Sequence, residues 1–318
     1  MVNLQVQEMQ KPWNLKDNAI MGQNGNSSLA KTYVLSTLAV VLWGLSFVWT
    51  NDILMHNVPP FTLLFVRLAC AGILLYVYSR LTKKLQKVEK KDLKYMFLMA
   101  FCEPFIYFIG ETYGMKFTGS AVLAAVIIAT IPITCLVAEK IIYKIPYTAL
   151  KIIGTAITIP GILMVVMKGG DQTSVDHYYG IALLFLAVAG ATGYAAVVKK
   201  LSGKYNSTTI TTYQFVIGAV LFFPLFLGFG LDGLNSTFFS KDVMVPLLSL
   251  AILCSCLAFL CWVNAIARLG MMKANIFSAL IPAVSAVGAA AIGQENITVL
   301  AVIGMAVVIA GVIIAQKN

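Results

Sequence analysis

The chain has 318 residues, 59% hydrophobic and 11% charged, with mean hydropathy +0.86 and a formal net charge of +10. Soluble domains carry about a quarter charged residues, so this composition leaves no polar shell for a water-soluble enzyme with a buried core. The basic excess could speak for a nucleic-acid partner, but in a membrane chain the same excess sets topology, and the positions of the charges decide between the two.

Residues 1–31 are polar, with neither an apolar core of signal-peptide length nor a small-residue cleavage pattern. They are expected to form a disordered cytoplasmic tail, with Met21 as an alternative start. A spanning helix needs about 20 mainly apolar residues. Ten such stretches follow, at 32–51, 60–79, 95–114, 120–139, 149–167, 179–198, 209–230, 243–263, 271–292 and 297–315. The third is the weakest, because Glu103 and Glu111 interrupt it. Most connections are too short to hold a soluble domain.

With the N-terminus inside, nineteen Lys and Arg fall on inner segments, seven of them between Arg80 and Lys94. The outer segments hold three, Lys116, Lys168 and Lys241, while Arg67 lies within a span. Such a bias follows the positive-inside rule. A missed span would scramble the alternation, so the bias supports ten spans and two cytoplasmic termini, and nucleic acid drops out as a partner. The six cysteines lie in apolar stretches and read as small hydrophobes. His56 and His177 read as solvated outer-loop residues. No metal site or cofactor is expected.

A shift of 150 residues lays 129–161 on 279–311 without a gap and with twelve identities, among them Ile131-Pro132 on Ile281-Pro282, Gly154 on Gly304 and Gly161 on Gly311. Shifts of 147 to 151 pair the first three spans with the sixth, seventh and eighth. The expected architecture is therefore all-α and integral to the membrane: ten transmembrane helices as two five-helix repeats, 32–168 and 179–316. Five is odd, so the second repeat must insert upside down. Inverted repeats are a familiar basis for alternating access, with the site between the halves near mid-membrane.

In these features the chain resembles the drug/metabolite transporter superfamily, and within it the two-repeat EamA family. The resemblance is carried by Trp43-Gly44-Leu45-Ser46-Phe47, by Arg67, and by the proline-centred stretches at Pro132 and Pro282. Gly293-Gln294-Glu295 resembles the family's Gly-Glu turn with one residue inserted, and Gly154, Gly161, Gly304 and Gly311 lie in the helices that close each repeat. Tyr143-Lys144 departs from the pattern in the first repeat. The resemblance implies export or uptake of small metabolites, often amino acids.

Few polar groups within the spans can carry transport. Arg67 lies roughly 10 Å below the outer edge by helix rise, where a charge faces a cavity or a partner; its repeat counterpart is the neutral Gln214. Glu103, Tyr107 and Glu111 are spaced i, i+4, i+8 along one helical face. Glu103 is the expected partner of Arg67, and a carboxylate whose proton affinity changes with conformation suits proton coupling. Glu111 reads as a rim residue. Trp43, Ser46, Trp262 and Asn264 add an aromatic and polar wall suited to a small amphiphile. Pro104, Pro132 and Pro282 are expected to kink their helices, and Glu139 and Glu295 to be solvated.

An intramembrane enzyme would need nucleophile, base or metal ligands at one depth, and a channel would need rings of like polar groups; neither pattern is present. The reading is a secondary transporter in the plasma membrane, with a bacterial inner membrane the expected setting. It would move an amino acid or a similar zwitterionic or neutral amphiphile, with efflux favoured and proton coupling an added expectation. An uncoupled facilitator or exchanger of the nucleotide-sugar or triose-phosphate type is the alternative, though several intramembrane cations would then be expected. Expected partners are the substrate, protons and membrane lipid, for a monomer or homodimer.

Overall fold

Helix formation here follows from the absence of water: a backbone in hydrocarbon must satisfy its own polar groups. The computed structural model describes residues 25–143, 148–166, 174–269, 274 and 276–315, and the described residues contain no strand. In chain order the helices are α1 (Gly25–Met55), α2 (Pro60–Leu81), α3 (Leu93–Ala100), α4 (Tyr107–Thr118), α5 (Ala121–Ile128), α6 (Ile131–Tyr143) and α7 (Ala149–Val166). There follow α8 (Val175–Leu201), α9 (Ser207–Phe229), α10 (Lys241–Ser249), α11 (Phe259–Leu269), α12 (Ile281–Ala291) and α13 (Val299–Ala315). A π-helical segment, Phe101–Ile106, joins α3 to α4, and another, Leu250–Ala258, joins α10 to α11.

Helices occupy most of the described part of each of the ten apolar stretches, broken at Glu103 and at Ala129–Thr130. Among the described residues, seven helices are long and apolar enough to cross a membrane, and three shorter apolar ones span Ile152–Val165, Phe277–Ala291 and Val299–Ala315. Large apolar side chains such as Ile73, Val220, Phe229 and Val287 point outward, a surface that lipid accepts and water does not. α1 begins at Gly25, earlier than the expected end of the polar tail at residue 31, because each residue added to an existing helix gains a backbone bond. Lys144, Lys168 and residues 1–24 lie outside the described residues.

Two of the expected kinks are helix starts instead. Pro132 and Pro282 occupy the second positions of α6 and α12, where the missing N–H costs nothing. Pro104 does interrupt its stretch: Glu103 before it is extended (φ −147°, ψ 116°), the conformation proline favours in its predecessor. Turns are equally local in origin. Gly119 ends α4 at φ 64°, and Ser120 then caps α5 by accepting from the Leu123 amide. Glu295, expected to be solvated, accepts from Ser120 Oγ (2.8 Å) and the Val122 amide (3.1 Å), so its charge sits at the positive N-terminus of α5. His177, expected in a loop, is buried in the first turn of α8.

The tightest helix pairing is between α7 and α13. A Cβ built on Gly161 would lie 2.8 Å from the Gly304 carbonyl oxygen, and one on Gly311 would lie 2.8 Å from that of Gly154. Residue numbers rise along one helix as they fall along the other, so the two run antiparallel. Small residues let backbones approach where no hydrophobic effect drives helices together. Gly161→Leu is expected to destabilise the protein by about 1–3 kcal/mol or more, read as a lower melting temperature of the detergent-purified protein. An unchanged melting temperature would mean that the crossing yields without cost.

Candidate functional site

The interruption at Glu103 and the start of α11 just after Leu250–Ala258 face a cavity of about 60 Å³, with room for only a few waters in this conformation. Its wall draws on both halves of the chain. From the first come Trp43, Ser46 and Phe47 of α1, Arg67 of α2, Glu103, and Tyr107, Phe108 and Glu111 of α4. From the second come Tyr194 of α8, Phe259 and Trp262 of α11, Ser278, and Ile281 of α12.

Among the described residues, Arg67 is the only cation on this wall, and it is 2% exposed. Its Nε donates to Ser255 Oγ (2.9 Å), and its guanidinium carbon lies 4.3 Å from the centroid of the Phe108 ring. Among the described residues, its terminal nitrogens have no hydrogen bond or ion pair. The expected direct pair with Glu103 is therefore not formed here; Ser255 and Phe108 hold the guanidinium instead. The Glu103 carboxylate likewise has no hydrogen-bond or ion-pair partner among the described residues. Glu111 is not a rim residue: it is 4% exposed and accepts from the Tyr107 hydroxyl (3.0 Å).

The aromatic wall is an edge-to-face cluster. The Trp43 ring lies 5.0 Å from Phe259 and 4.9 Å from Trp262, and its Nε1 donates to the Cys254 carbonyl (3.3 Å). Such contacts orient the rings and leave little rotamer freedom. Ser46 turns its hydroxyl back to the Trp43 carbonyl (2.7 Å).

Trp43, Ser46, Arg67, Glu103, Tyr107, Glu111 and Trp262 are thus brought together, while Gln214 and Asn264 do not line the cavity. Gln214 is fully buried behind it, accepting from the Tyr194 hydroxyl (3.2 Å), and its Nε2 has no partner. Asn264 lies half-buried on α11. Phe108, Tyr194, Ser255 and Phe259 are missed by a search for polar groups in apolar runs. The repeat holds a signal for three of them, since a shift of 151 lays Trp43 on Tyr194 and Phe108 on Phe259. Nothing in the sequence marks Ser255. Among the described residues, no group of three or more His, Cys, Asp or Glu could hold a metal ion.

Long apolar helices around a buried, singly basic, aromatic cavity define a multi-pass α-helical membrane protein. The chain belongs to the EamA-like transporter family, whose profile matches residues 30–167 and again 178–316. It is a membrane transporter rather than an enzyme. An uncharacterized transporter of Archaeoglobus fulgidus is 26% identical over 91% of this chain and 99% of its own length. The uncharacterized transporter YetK of Bacillus subtilis is 23% identical over 89% and 86%. A probable terminal-alkyne amino-acid exporter of Streptantibioticus cattleyicolor is 27% identical over 61% and 64%. One solved crystal structure shares the fold, with a TM-score of 0.69 at 13% identity over 90% of this chain and 98% of that one.

Ser255→Ala removes the acceptor of a charged donor and is expected to cost about 1.5–3 kcal/mol of stability. A double-mutant cycle with Arg67→Met should show coupling between the two. Coupling near zero would mean that Phe108 and the cavity hold the guanidinium unaided.

Proposed function

We propose that the chain crosses the plasma membrane ten times, as two inverted five-helix repeats with both ends in the cytoplasm. In this reading it exports a small zwitterion of the amino-acid kind by alternating access. The observation that carries the substrate class is Arg67: a buried guanidinium with unengaged N–H donors at a cavity that also presents two carboxylates and an aromatic wall. Paired guanidinium donors match a carboxylate. The Trp43–Phe259–Trp262 cluster suits an apolar side group, and Glu103 and Glu111 suit an ammonium or a proton. A multiply phosphorylated substrate would call for more cations than the single Arg67. The printed name of the Streptantibioticus cattleyicolor relative favours an amino acid and export.

Inversion is supported by the glycine crossing, because a shift of 150 turns the Gly154–Gly311 contact into the Gly304–Gly161 contact, as a two-fold axis between the repeats would. Orientation is supported by the sorting of polar groups. Asn51, Ser120, Gln294 and Glu295 meet at one end, while the basic 80–94 segment meets residues 204–209 at the other. Proton coupling rests on Glu103, enclosed yet unpaired, whose proton affinity would follow its distance from Arg67 as the cavity opens to either side.

A panel of amino acids assayed for uptake and efflux in proteoliposomes, with and without a pH gradient, tests the substrate class. No flux of any member would sink it. Glu103→Gln is expected to abolish gradient-driven flux while sparing counterflow exchange; driven transport at the wild-type rate would remove Glu103 from coupling.

A further inference from the structure

The 80–94 segment carries more charge than topology needs. Arg80, Lys83, Lys84, Lys87, Lys90, Lys91 and Lys94 are all exposed, and Lys200 of the last turn of α8 and Lys204 of the α8–α9 connection are exposed beside them. Only two acidic residues, Glu89 and Asp92, answer them within the segment. Lys91 pairs with Glu89 (2.7 Å) and Lys204 with Asp92 (3.0 Å). Arg80, Lys83, Lys87 and Lys90 have no ion-pair partner among the described residues. A bias in topology could be met by cations spread over every inner loop; here they converge on one.

The frame beneath them is fixed. The Gln86 amide donates to Thr209 Oγ1 (2.9 Å), the Asn206 amide donates to Gln86 Oε1 (2.7 Å), and Asn206 Nδ2 donates to the Lys84 carbonyl (2.8 Å). Tyr205 donates its hydroxyl to Asp92 (2.9 Å) and receives the Glu89 amide (3.2 Å). The connection, non-helical over 82–89 and a 3-10 turn over Lys90–Asp92, is thereby pinned to the start of α9, so its cations are presented on a set backbone without a backbone ordering cost at binding.

The same stretch marks a depth. Leu81, Leu93, Phe97 and Leu98 are exposed apolar residues at its two helical margins. Tyr78 lies 5.7 Å from the Lys84 ammonium, and Tyr95 lies 5.2 Å and 3.7 Å from those of Lys94 and Lys200. Tyrosine and long basic side chains together mark the level where hydrocarbon meets headgroups. Cations there meet lipid phosphates before they meet any soluble anion.

We propose that the 80–94 connection, with Lys200 and Lys204, is a binding site for the headgroups of anionic phospholipids in the surrounding membrane. Clusters of four to eight basic residues beside a membrane helix attract such lipids through charge, within about a Debye length of the surface. The site is separate from the transport cavity and requires only that the chain is a membrane protein.

The test uses the full chain reconstituted in vesicles of equal parts phosphatidylcholine and phosphatidylglycerol, with spin-labelled probes of each lipid. The wild type is expected to favour phosphatidylglycerol on the order of tenfold, and high salt should erase the preference. The quadruple variant Arg80→Gln, Lys83→Gln, Lys87→Gln, Lys90→Gln should lose most of it, whereas Lys116→Gln with Lys241→Gln should not. Should the quadruple variant fail to insert, Lys87→Glu alone is expected to reduce the preference severalfold. A wild type indifferent to the two lipids overturns the proposal, as does an undiminished preference in the inserted quadruple variant or in Lys87→Glu.

Discussion

A guanidinium enclosed among apolar helices is the interaction on which the interior depends. Taking Arg67 out of water carries a desolvation cost that only fixed partners offset. Ser255 and Phe108 meet part of it, and the guanidinium lies on the cavity wall. Because Ser255 belongs to the second half of the chain and Arg67 to the first, the same bond holds the halves at one spacing. Trp43 repeats the pattern, reaching from α1 to the Cys254 carbonyl one residue before Ser255. Two wall residues of the first half are thus tethered to one irregular segment of the second.

That segment has a counterpart. A shift of 151 lays Glu103 on Cys254, and both residues lie in π-helical stretches, Phe101–Ile106 and Leu250–Ala258. Irregular backbone at membrane depth is tolerated where it is buried in protein or lines a cavity, and π segments recur at functional sites. Chemically the two differ: beside its thiol, one carries a carboxylate and a proline, while the other carries two thiols, a hydroxyl and the carbonyl that accepts from Trp43. Their geometry differs as well: the backbone is extended at Glu103, whereas Leu250–Ala258 stays helical throughout.

Much of this was legible beforehand, for a physical reason that also marks its limit. Water is absent from the spans, so apolar run length locates helices and rare charges locate the cavity: Arg67, Glu103 and Glu111 stand out because little else in their stretches is ionisable. The same logic misjudged Gln214 and Asn264, since an amide inside an apolar run can serve as support behind a wall, as Gln214 does for Tyr194. It misjudged Glu111 by assuming that distance along a helix measures exposure, and Glu295 by taking a carboxylate at a membrane edge to be solvated. Pro132 and Pro282 were read as kinks because a sequence does not say whether a proline lies within a helix or at its start.

The amino-acid sequence by itself determined the class of protein, the positions of the helical stretches, the repeat and the few ionisable residues that line the cavity. Each follows from composition and period, which neighbours in space do not alter. Only the tertiary structure decided that Arg67 is held by Ser255 rather than by Glu103, that Trp43 anchors to the Cys254 carbonyl, and that the basic 80–94 connection is pinned to the start of α9 beside Lys200 and Lys204. Those outcomes depend on which helices pass within hydrogen-bonding distance of one another, a distance set by glycine crossings and side-chain volume across the fold and carried by no local pattern.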